Sequence, residues 1–148
     1  MSLQETLTAG LKAAMIARNA DRTATLRLIK SALGYVQIER KTDTLADADV
    51  LAVLQREAKK RRDASEEYVR GGRPELAARE QAELVIIEEF LPKALSEAEL
   101  ETLVRTVLAE TGATSRKEMG VAMKAAQARA GGRADGRALS AVVTRLLG

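Results

Sequence analysis

The chain has 148 residues, with 24 Lys and Arg against 21 Asp and Glu for a net charge of +3, which allows one large domain or two small ones. With no Cys and no His, it cannot use thiol, haem, iron–sulfur or His-based triad chemistry, it lacks the usual zinc ligands, and it can form no disulfide framework. Its 2 Tyr, 1 Phe and no Trp are too few for the aromatic platform that stacks single-stranded bases.

Apolar periodicity predicts helices almost throughout. Leu3, Leu7, Leu11 and Met15 form the stripe of a first helix ending near Arg18. Asp21 is the expected N-cap of a second, with Leu26, Ile29, Leu33 and Val36 inward. After a short polar stretch, Thr42 to Ala46, Asp47 is the expected cap of a third. That helix carries Val50, Val53, Leu54 and Ala58, with Tyr68 near its end, and stops at Gly71-Gly72. Pro74 suits the first turn of a fourth, burying Leu76, Leu84, Ile87 and Leu91 and ended by Pro92. The stretch Leu91 to Ser96 reads as a boundary.

Beyond it, Ser96 and Glu99 make a capping box for a fifth helix, with Leu100, Leu103, Val104, Val107 and Leu108 inward and a stop at Thr111-Gly112-Ala113. Ser115 and Glu118 repeat that box for a sixth, bearing Met119, Ala122, Met123 and Ala126. Gly131-Gly132 stops it, and Asp135 caps a seventh with Leu139, Val142, Val143 and Leu146 inward. The expected fold is all-α: an N-terminal four-helix part, residues 1–94, followed by a small C-terminal three-helix bundle, residues 95–148. No run is apolar and long enough to span a membrane, and no signal peptide is legible at the start, so a cytoplasmic location is expected.

Charge is uneven along the chain. Residues 96–110 carry one cation against four acids, −3, whereas residues 111–148 carry seven cations against two acids, +5. The run Lys59-Lys60-Arg61-Arg62 reads as a solvated helix face, with Asp63, Glu66 and Glu67 at pairing distance along it. Glu66-Glu67 and Glu88-Glu89 resemble paired carboxylates, but neighbours on a helix diverge by about 100° and do not face one target.

The segment Gly131 to Arg137 half-matches a phosphate-binding loop. Arg137 replaces its lysine, Ala138 its Ser or Thr, and a helix precedes it where a strand belongs, which speaks against nucleotide binding. Two readings stay open: Gly132, Asp135 and Gly136 end one helix and start the next, or they do so while Arg133 and Arg137 hold an anion at the helix N-terminus. Arg116, Lys117 and Lys124 are the other candidate phosphate contacts. No catalytic residue, cofactor or metal is expected.

Several segments together resemble one family: Leu26 to Ala32, Lys60 to Ser65, Ala82-Glu83-Leu84 running to Phe90-Leu91-Pro92, Thr111-Gly112-Ala113, Glu118-Met119-Gly120 and Gly132 to Arg137. In order and over the whole length, the chain is similar to stand-alone GatB/YqeY proteins, related to the C-terminal region of the B subunit of the tRNA-dependent amidotransferase. The resemblance implies a non-catalytic tRNA- or RNA-binding accessory module, with tRNA or amidotransferase subunits as partners and Arg133, Arg137, Lys124, Arg116 and Lys117 as contacts. It also implies, through the family label, a carbon–nitrogen ligase using glutamine as amide donor, with the catalytic parts supplied elsewhere. A third expectation is a helical protein–protein module offering Met119, Met123 and Leu139 as a groove. Family members carry a lysine after Met-Gly; here Val121 stands there, and Lys124 is the next basic residue.

Overall fold

A computed structural model describes residues 1–148. The chain is all-helical and divides into two compact units, Met1–Leu91 and Pro92–Gly148. The first holds α1 (Leu3–Ile16), α2 (Ala20–Arg40), α3 (Asp47–Arg70) and α4 (Pro74–Glu88). The second holds α5 (Glu97–Thr111), a 3-10 turn (Arg116–Glu118), α6 (Met119–Ala130) and α7 (Gly136–Leu147).

In the first unit, Leu7, Leu11 and Ala14 of α1 meet Leu26, Ile29 and Leu33 of α2, Val50, Val53, Leu54 and Ala58 of α3, and Leu84 and Ile87 of α4. Met15 is exposed and Ala14 takes its place in the stripe, because 3.6 residues per turn carries the fourth position off the buried face. Phe90 closes the end of this core. It lies against Gly10, where an added Cβ would come within 3.1 Å of the ring, and the Arg22 guanidinium sits 5.7 Å from its centroid while pairing with Glu89.

Several expected caps are reassigned. The N-cap of α2 is Asn19, whose side chain accepts from the Arg22 N–H at 3.1 Å; Asp21 lies inside the first turn, next to the positive end of the dipole. Asp47 does not cap α3, since Ala46 occupies that position without a side-chain bond. Its carboxylate accepts instead from the Leu3 N–H at 2.9 Å, satisfying a free amide of α1 from 44 residues away. Ser2 caps the same helix, accepting from the Glu5 N–H. The stretch 42–46 is not wholly polar: Leu45 is a core residue, and its N–H is held by Gln4 at 2.9 Å. The ends of α1 and α2 carry Arg18 and Lys41 in left-handed conformation, each with paired 6→1 and 5→2 bonds to the preceding turn. Helix α4 ends at Glu88, not at Pro92, and the Phe90 and Leu91 amides tighten onto Ile87 and Glu88.

The basic run of α3 is not uniformly solvated. Arg61 is only 8% exposed. Its Nη1 donates to the Glu57 carboxylate and carbonyl, and its Nε donates to Glu83 of α4 at 3.2 Å. One turn on, buried Ser65 accepts from Gln81 at 3.0 Å. A polar layer thus sits between α3 and α4, bordered by the surface pair Lys59–Asp63.

Candidate nucleic-acid interface

The second unit has a core of Leu100, Val104 and Val107 from α5, Leu139, Val143 and Leu147 from α7, and the small side chains Ala122, Ala126 and Ala130 from α6. Alanines on α6 let its backbone approach both neighbours closely. Leu139 is buried in this core, with Met119 and Met123 half-buried against it, so the three do not form an open groove. Packing explains the correction: an i, i+4 methionine pair facing a leucine satisfies its own apolar surface first.

The loop between α6 and α7 is built by backbone conformation. Gly131 and Gly132 both have positive φ, 57° and 86°, which an L side chain adopts at a cost. Asp135 caps α7, accepting from the Ala138 N–H at 2.8 Å. Its carboxylate therefore already occupies the positive end of that helix. Arg133 turns back on the unit: its Nε donates to the Lys93 carbonyl at 3.0 Å, its guanidinium lies 3.7 Å from Glu99, and its own carbonyl accepts from the Leu95 N–H at 2.8 Å. Gly136 opens α7, and Arg137 is exposed on its first turn with interactions of its own within the protein.

Arg116 and Lys117 lie in the 3-10 turn that leads into α6, at the end away from this loop. The expected capping box there is not formed. Ser115 makes no side-chain cap bond, and the Glu118 carboxylate accepts from the Thr114 N–H at 3.2 Å and takes the Thr114 and Ser115 hydroxyls at longer range. Lys124 stands on the exposed side of α6. Twelve residues of helix separate the two ends, about 18 Å at 1.5 Å per residue. The five cations foreseen from sequence thus do not converge on one pocket: Arg133 and Arg137 sit at one end of α6, Arg116 and Lys117 at the other, and Lys124 between.

Charge within the unit distinguishes them further. Helix α5 neutralises part of the basic tail, since Glu110 pairs with Arg129, Glu99 with Arg133, and Glu101 with Arg145. These partners are far apart in sequence and carry no local signal. Arg105 donates to Glu101 from Nε and Nη2 at 3.2 and 2.7 Å; these bonds, with the nearby Arg145 charge, hold the Glu101 carboxyl below the ordinary glutamate range. Arg116, Lys117 and Lys124 are exposed and form no ion pair. Val121, 61% exposed, lies one helical turn before Lys124 and one after Lys117.

A two-unit, all-helical protein with this order of segments defines a class, and comparison with known sequences identifies it. The model of the Yqey-like protein family matches residues 4–147, and the chain belongs to that family. It is 33% identical over 95 residues to an uncharacterized protein of Schizosaccharomyces pombe, an alignment covering 64% of this chain and 76% of that one. It is 30% identical over 102 residues to Altered inheritance of mitochondria protein 41, mitochondrial, of Lachancea thermotolerans, covering 68% of this chain and 54% of that longer protein. The chain thus spans about half the length of this second relative. No helix is long and apolar enough to cross a membrane.

Proposed function

We propose that the protein is an RNA-binding accessory module of the tRNA-dependent amidotransferase type, acting in the cytoplasm, with a four-helix N-terminal domain and a three-helix C-terminal domain. The observation that carries this reading is the set of exposed, unpaired cations Arg116 and Lys117 in the 3-10 turn and Lys124 on α6. A basic side chain that no carboxylate neutralises can neutralise a phosphate, and the release of the counterions condensed on the nucleic acid drives binding. Spread over about 13 Å, these groups suit several phosphates of a folded RNA better than one phosphate in a pocket, and shape is what such contacts read. Arg137, which has interactions within the protein, is a further contact at the α7 end. Arg133 acts by positioning, tying the loop to Lys93 and Glu99. The carbon–nitrogen ligase activity attached to the family would belong to a catalytic partner, with this chain holding the tRNA.

Titration of the full chain into labelled bulk tRNA at two salt concentrations tests the reading. Binding should weaken steeply with salt and fall several-fold in the Arg116→Ala/Lys117→Ala/Lys124→Ala variant, with a shallower salt slope. Replacing Arg133 alone should cost less affinity. Salt-independent binding, or a triple variant that binds like the parent, would refute it.

A further inference from the structure

Helix α2 has two apolar faces, and only one of them is used. Leu26, Ile29 and Leu33 enter the core, while Leu28, Tyr35 and Ile38 are 52%, 76% and 77% exposed on the opposite side. With Ala24 and Ser31, also exposed, they follow the spacing 24, 28, 31, 35, 38, alternating four and three. That is the a/d seam by which one helix packs along another, with small residues between the large ones to receive a partner's side chains.

The edges of the seam differ in charge. Arg27 and Lys30 lie along one side and Lys41 caps the C-terminal end; all three are exposed and form no ion pair. Gly34 follows Arg27 by seven residues on this same edge. It is the residue least suited to a helix interior after proline, yet its φ is not positive and an added Cβ would meet nothing within 4 Å. The packing of this protein does not require that glycine. It leaves the basic edge open to close approach by another backbone.

We propose that the outer face of α2 docks one amphipathic helix of a partner protein, whose acidic edge lies along Arg27, Lys30 and Lys41. A second copy of this chain fits poorly. In a parallel pair the edges meet five residues apart, so Arg27 would face Ala32 and Gly34 would face Glu39. In an antiparallel pair like edges meet, and cation would face cation. Complementarity therefore points to a different chain, and the surface belongs to a different unit from the cations of α6.

The test uses the full-length protein and a labelled 21-residue helical peptide with leucine at a and d positions and glutamate along both edges, beside a twin carrying lysine at those edges. The glutamate peptide should bind at least tenfold tighter than its twin, and Tyr35→Ser/Ile38→Ser should weaken it at least tenfold. Gly34→Gln, which keeps the apolar seam and favours the helix, should weaken it too by filling the open edge. Equal binding of both peptides, or binding unchanged in these variants, overturns the proposal. So does concentration-dependent dimerisation of the free chain lost in Tyr35→Ser/Ile38→Ser, which would make a second copy the occupant. A loss of tRNA affinity in that variant would assign the face to RNA and overturn it equally.

Discussion

The two units handle charge in opposite ways. Residues 1–91 contain fifteen Lys and Arg and fifteen Asp and Glu, whereas residues 92–148 contain nine against six, so the whole surplus of three lies in the second unit. The first unit also takes an ion cluster inside, at Arg61, and fills its core with Leu, Ile and Val. The second uses alanine for much of its core and carries the charge surplus. The contrast teaches that a mild overall charge can hide an uneven distribution: one unit balances its ionic groups and takes some of them between its helices, while the other carries the whole surplus.

The largest expected effect breaks the first half of that contrast. Arg61→Ala leaves Glu57 and Glu83 without their buried counter-charge and should cost about 3–5 kcal/mol, read by urea denaturation. Arg61→Met combined with Glu57→Leu should recover much of that loss, because a well-packed apolar pair avoids the desolvation. In the second unit, Leu139→Ala should cost about 3 kcal/mol, as a cavity opens among side chains too small to fill it. Asp47→Ala is smaller, about 1 kcal/mol, and should show as fraying of the α1 N-terminus, with faster exchange of the Leu3 and neighbouring amides. A loss confined to α3 would contradict the cross-helix bond to Leu3.

The second half of the contrast is sharpened by adding charge. Val121→Lys places a cation between Lys117 and Lys124 and should raise tRNA affinity a few-fold at low salt, with the salt slope steeper by about one phosphate contact. The smallest effect is at Glu101. Its carboxyl is held down in the folded state, so its stabilising contribution is present above the unfolded carboxylate pKa and is lost as pH falls through the lower folded value. NMR titration should find Glu101 below the ordinary glutamate range, and Arg105→Ala should return it most of the way.

How much was legible depended on the range of the signal. The Ser96–Glu99 bond, Pro74 in the first turn of α4, Gly112 and Gly131 at helix ends and Asp135 at the start of α7 all act within four residues, and each was readable from its neighbours. The end of α2 was harder, since Lys41 takes a conformation that usually announces itself through glycine. The candidate site was legible as a list of cations, and not as an arrangement. Pairing with α5 separates Arg129, Arg133 and Arg145 from Arg116, Lys117 and Lys124, and those partners lie 19 to 44 residues away.

By itself the sequence determined the helical character and the family, because periodicity, caps and motif order are local properties that short-range sterics and hydrogen bonding enforce. Tertiary structure alone decided that Arg61 lies inside, that Asp47 serves α1, and that Leu28, Tyr35 and Ile38 are exposed. A charged or apolar side chain has no fixed environment of its own. Burial follows from which helix faces meet, and that depends on every packed neighbour at once.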